Sequence, residues 1–184
     1  MAIRNLLRVL GLQEDATFSP EHTFLRRMRR QLEKLGPDRA EFLAAFAGQL
    51  ARVAMVDSVL SETEEKQIAR LLETRTELSG GECKLVVVLM HHEAETLKGK
   101  QNHLLNRAFN RHASSQDKEQ LIDSAYAVAA ADEQISDDED QEVRRIAAAI
   151  LMPHKALMDI RSRYREYLEI LKDMPHGRTR ATTS

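Results

Sequence analysis

Apolar residues recur along this chain at steps of three and four, and each run predicts an amphipathic helix. Ile3, Leu6, Leu7 and Leu10, with Arg4 and Arg8 on other faces, predict a short helix ending near Gly11. Ser19-Pro20 has the form of a helix start. Phe24, Leu25, Met28, Leu32 and Leu35 carry that stripe to Leu35, beside Arg26, Arg27, Arg29, Arg30 and Lys34. Gly36-Pro37 breaks the chain. From Asp38 onward, Phe42, Phe46, Leu50 and Val53 define one buried face, and the next step of four lands on Asp57. Ser61 caps a helix whose Ile68, Leu71 and Leu72 face inward, extending to about Thr76. After Ser79-Gly80-Gly81 a helix holds Leu85, Val86 and Leu89, and after Gly99-Lys100 a shorter one holds Leu104, Leu105 and Phe109. Leu121, Ala125 and Val128 form the next stripe, whose following step of four reaches Asp132. Ser136 caps a helix with Val143, Ile146, Ala147, Ile150 and Leu151 as core face, and Pro153 begins a last helix through Leu168 and Leu171.

The predicted fold is therefore all-α, a single-domain bundle of about eight or nine helices. A composition 42% hydrophobic and 30% charged, with only 7 Gly and 4 Pro, agrees with that expectation. Residues 1–37 read as an N-terminal helical extension, 38–172 as the main domain and 173–184 as a polar tail expected to be disordered.

Two stretches of the main domain match in role. Val53, Ala54, Asp57, Ser61, Glu64 and Arg70 correspond to Val128, Ala129, Asp132, Ser136, Glu139 and Arg145. In both, an apolar helix ends, an Asp follows, and a Ser-x-x-Glu pattern opens the next helix as a capping box would. This predicts a pseudo-twofold repeat with units of about 38–99 and 113–172. Each Asp falls at a helix C-terminus, where the macrodipole disfavours a negative charge, and each continues an apolar stripe toward the interior. Two solutions are open: amide hydrogen bonds that fix the corner, or a divalent cation held by Asp132 and Glu139, and by Asp57 and Glu64. Oxygen donors of this kind suit Mg²⁺, Ca²⁺ or Mn²⁺ better than Zn²⁺. The second corner is the stronger candidate because Asp132, Glu133, Asp137, Asp138, Glu139, Asp140 and Glu142 crowd one region. It is not an EF-hand loop. Counting from Asp132, Asp137 stands where that loop needs Gly and Val143 where it needs Glu.

Ala131-Asp132-Glu133-Gln134-Ile135-Ser136-Asp137-Asp138-Glu139 resembles the TerB family of small helical proteins associated with tellurite resistance, and Val56 to Glu64 resembles it more loosely. The resemblance covers roughly Phe42 to Tyr164. It implies an all-helical fold with internal pseudo-symmetry and an acidic surface suspected of binding divalent metal, at Asp57, Glu64, Asp132 and Glu139. The family's Gly after each Asp is replaced by Ser58 and Glu133. The function it implies is a non-enzymatic module of tellurite or stress-response, or envelope-associated, type. A protein-interaction scaffold with purely structural acidic turns is the alternative.

Other constellations are thin. His91, His92, Glu93 and Glu95 lack the second His of a zincin helix. No Ser or Cys has a nucleophile's setting, and Cys83 reads as a core residue. Tyr126, Tyr164 and Tyr167 are expected at helix edges. A net charge of -2 gives no global case for nucleic acid. The apolar run Leu85 to Met90 is far too short to span a bilayer. The expectation is a cytoplasmic protein with an unidentified protein partner. Peripheral membrane contact and homo-oligomerisation remain open, the Arg-rich helix near residues 20–35 being one candidate docking face.

Overall fold

A computed structural model describes residues 34–56, 62–96 and 102–169, with the backbone alone described at 62–64, 67, 91–96, 102, 104 and 132. These residues form seven α-helices: α1 Pro37–Ala54, α2 Glu62–Arg75, α3 Gly80–Thr96, α4 Asn102–His112, α5 Ser115–Ala129, α6 Asp137–Ala149 and α7 His154–Arg163. A 3-10 turn, Ala130–Asp132, follows α5. The helix predicted near residues 3–10, nearly all of that near residues 20–35 and the tail at 173–184 lie outside the described residues.

Helix α1 is the axis of the bundle. Gly36 caps it at φ 81, a left-handed backbone that glycine adopts without strain, and Pro37 occupies the first turn, where no amide partner is needed. The sequence predicted one buried face. Instead every residue from Phe42 to Ala51 is buried, because α1 packs against α3, α4, α5 and α6 at once. Ala44, Ala45, Ala47, Gly48 and Ala51 between the large residues are what permits this, since a helix apolar all round belongs inside.

Gly48 stands on α1 where Leu105 of α4 leaves no room for a side chain. A Cβ there would lie 2.8 and 2.9 Å from the two methyls of Leu105. Gly48→Ala is therefore expected to destabilise the chain by about 1–2 kcal/mol, overpacking outweighing the helix-propensity gain of roughly 1 kcal/mol. In a Leu105→Ala background the sign should reverse. Urea denaturation of the two backgrounds decides it, and a destabilising effect unchanged by the second substitution would show that Leu105 is not the obstacle.

The helix ends depart from the sequence reading in two places. Helix α7 ends at Arg163, not beyond Leu168: turns follow, and Leu168 pairs with Ile135 in an isolated parallel bridge. Leu151, predicted on the core face of α6, is 75% exposed. It sits at φ 58 in the left-handed position after the helix, with the Met152 amide donating to Ala147 O and the Leu151 amide to Ala148 O. Those two bonds are a Schellman motif, which favours Gly at the left-handed residue. Leu151→Gly should raise stability by about 1 kcal/mol, since the side chain has little packing to lose and the left-handed penalty disappears. A melting temperature that fell would contradict this.

Candidate functional site

The acidic corner between α5 and α6 is built by three devices. Helix α5 ends at Ala129, and the 3-10 turn carries the chain to Asp132. The α-helical period that placed Asp132 on the stripe of Val128 thus stops before reaching it. Glu133 then adopts φ 63, ψ 10, the conformation for which the Gly of the family pattern is suited. Finally, Ser136 and Glu139 form a reciprocal capping box: the Ser136 amide donates to Glu139 Oε2 at 2.9 Å, and the Glu139 amide donates to Ser136 Oγ at 3.2 Å. Ser114 with Asp117, and Ser79 with Glu82, bond in the same way. A Ser-x-x-acid start is therefore a general device of this fold, and Glu139 is engaged in capping.

Ile135 is the hook of the corner. Its amide donates to Tyr167 O at 2.7 Å and its carbonyl accepts from the Glu169 amide at 3.1 Å, fastening the chain after α7 to the acidic turn. Both Ile135 and Leu168 are fully buried, so the bridge also closes one end of the core.

The crowded acids divide into two groups. Glu133, Asp137 and Asp138 are exposed. Asp140, only 4% exposed, faces inward: Arg161 holds it with both forks, Nε to Oδ1 at 2.8 Å and Nη2 to Oδ2 at 2.9 Å, and Tyr126 donates its hydroxyl at 2.9 Å. Burial, reinforced by the neighbouring Asp140 charge, pushes the Tyr126 hydroxyl well above the usual phenol range, and the bond to Asp140 raises the Arg161 pKa. Glu142 is likewise gripped by Arg52 at 2.6 Å and Arg145 at 3.1 Å. Arg52 continues inward to Gln49, which is fully buried and donates to Asn106 at 2.7 Å.

A second Tyr-Asp-Arg cluster lies against the first. The Tyr164 ring stacks on Tyr126 with centroids 5.4 Å apart, its hydroxyl donates to Asp123 Oδ1 at 3.1 Å, and Arg75 reaches both Asp123 and the Tyr164 hydroxyl. Neither tyrosine is a helix-edge residue, as the sequence reading expected: Tyr126 and Tyr164 are buried, and Tyr167 is half-buried. Their apolar bodies pack while carboxylates receive their hydroxyls.

Of the four predicted metal ligands, Glu139 is the one whose side chain is described, and it serves the capping box. Asp57 and the side chains of Glu64 and Asp132 lie outside the described residues, as do those of His91, His92, Glu93 and Glu95. Among the described residues no three His, Cys, Asp or Glu side chains gather as a cation site requires. Cys83 is fully buried, and burial raises its thiol pKa, which disfavours the thiolate. Gln49, Arg52, Asp123 and Arg161 were not singled out from the sequence. Apart from the Arg52–Gln49 contact, their partners are 21 to 90 residues away in the chain, where no local spacing marks them.

Among the described residues no helix is long and apolar enough to cross a membrane. Comparison with curated proteins and with solved structures gives no match. A family model does match: tellurite resistance protein TerB, over residues 42–162, a span that begins in the central helix α1, includes the acidic corner and ends in α7. The all-helical bundle and the match across most of the chain agree with the resemblance carried by the corner, and the chain belongs to the TerB family.

Proposed function

We propose that this chain is a non-enzymatic TerB-like module that works by associating with a partner protein, and that its acidic corners are structural. One observation carries the reading: among the described residues, the inward-facing acids of the second corner already have partners within the chain. Glu139 caps α6, Asp140 is held by Arg161 and Tyr126, and Glu142 is held by Arg52 and Arg145. A carboxylate saturated by a bidentate guanidinium and a hydroxyl has little capacity left for a cation. The family description makes a tellurite or stress-response assembly the setting we infer.

The competing reading is a module that binds Mg²⁺, Ca²⁺ or Mn²⁺ through Asp132 and Glu139, or through Asp57 and Glu64. Calorimetric titration of the chelator-treated full chain with each ion, and with Zn²⁺, separates the two. The structural reading expects no saturable heat and no shift in melting temperature. Saturable binding lost in Asp132→Ala or Asp57→Ala would make the corners ion sites and overturn it.

A further inference from the structure

A groove of about 690 Å³ lies where α6 ends and α7 begins. Gln141, Arg144, Arg145 and His154 line it together with Ala148, Met152 and Leu157, and among the described residues no Asp or Glu does. The larger groove between α2, α5 and the turn after α7 differs in this respect, because Asp123 and Glu166 accompany Arg70, Arg75 and Arg163 there. Beside the first groove four guanidiniums share two carboxylates, which leaves an excess of positive charge. Asp140 is already gripped by Arg161 and lies 3.9 Å from Arg144, while Glu142 is shared between Arg52 and Arg145. Arg144 and Arg145 remain 55% and 62% exposed.

Leu151 adds a second observation. It stands between Ala148 and Met152 and is, with Met55, one of two exposed large hydrophobic residues among the described ones. Its left-handed backbone would be easier for Gly, and its side chain contributes little to the core. An exposed leucine next in the chain to Met152, with a groove lined by arginines and apolar side chains, is the composition of a docking site for a chain with acidic and apolar side chains.

Resting on the binding-module reading above, we propose that this groove docks an acidic segment of a partner protein. Its carboxylates meet Arg144 and Arg145, and an apolar side chain lies against Leu151, Met152 and Leu157. Charge argues against the chain's own ends as occupant. Residues 1–33 carry six Arg against four acids, and residues 170–184 carry Lys172, Arg178 and Arg180 against Asp173 alone.

The test is selection of random short peptides displayed against the full chain, followed by measurement of the enriched peptides by fluorescence anisotropy and amide chemical shifts. Acidic peptides should be enriched, should shift the amides of Ala148, Met152 and Leu157, and should bind more weakly as salt rises. Arg144→Glu with Arg145→Glu should weaken them about tenfold or more, and Leu151→Ser about fivefold. Should the double reversal disturb folding, Arg144→Gln with Arg145→Gln gives the same comparison. Enriched peptides without acidic character, or acidic ones bound equally by the variants, would overturn the groove while leaving the binding module standing. No enriched peptide at all would overturn both. Groove shifts produced by inorganic phosphate but by no peptide would make it a small-anion site. Concentration-dependent self-association without peptide, abolished by the double reversal, would make the occupant a second copy. Either result would remove the partner proposal.

Discussion

Arg161→Met is expected to lower the unfolding free energy by about 3–5 kcal/mol, because it leaves Asp140 buried with no cation in hydrogen-bonding contact. Asp140 is inside the protein, both of its oxygens bond Arg161, and the Tyr126 hydroxyl supplies one further bond. Arg144 stands 3.9 Å away and remains largely in water, so it cannot replace a bidentate partner. Chemical denaturation followed by circular dichroism measures the loss. Arg161→Lys should recover only part of it, because an ammonium cannot reproduce the planar fork. Adding Asp140→Asn to Arg161→Met should recover part as well, by removing the stranded charge. Tyr126→Phe, which deletes one hydrogen bond, should cost about 1 kcal/mol. A cost below about 1 kcal/mol for Arg161→Met would mean that water reaches Asp140, and the buried cluster would not be a structural tie between α6 and α7.

Phe109→Ala is the second large effect, expected at about 3–5 kcal/mol for a ring wholly removed from water. Phe109 is fully buried in α4, stacked on Phe42 at 5.6 Å and tilted against Phe46 at 6.2 Å, both on the central helix. Besides the packing of Leu105 on Gly48, α4 is tied to α1 by polar contacts: Gln49 to Asn106, and Glu41 to Arg111 and His112. Those bonds cannot collapse into the space a missing ring leaves, so the cavity term should persist. Hydrogen exchange should show α4 amides losing protection together with those of α1, since the two share this aromatic contact. Phe109→Leu should cost much less, about 1–1.5 kcal/mol, because it retains most of the volume. Equal costs for Leu and Ala would indicate that ring stacking, not filled space, secures α4.

Several features were legible in the residues alone. The seven helices of the described region follow the runs read from the sequence, because apolar spacing and Gly, Pro and Ser punctuation are local signals. The resemblance at Ala131 to Glu139 identified the family, and the capping box of Ser136 and Glu139 formed as its spacing requires.

The two departures at helix ends share one cause. Leu151 carried the right period for a core residue, but the end of α6 at Ala149 sent it into solvent through a left-handed turn. Leu168 likewise had helical spacing, yet it pairs with Ile135 because α7 stops at Arg163. Periodicity predicts a direction only while the helix continues, and the end is fixed by capping bonds and packing.

The all-helical class, the helical runs, the capped corner and the family could be read from the residues, each being written in positions a few apart. That α1 is buried on all sides, and that Asp140 and Glu142 face Arg161 and Arg52 across the bundle, follows from the fold alone. The fold likewise sets Arg144 and Arg145, both more than half exposed, beside a groove that no Asp or Glu among the described residues lines. An acidic side chain in a sequence has the same charge whether it ends in water or against a guanidinium. Which of these it meets depends on helices brought together from distant parts of the chain.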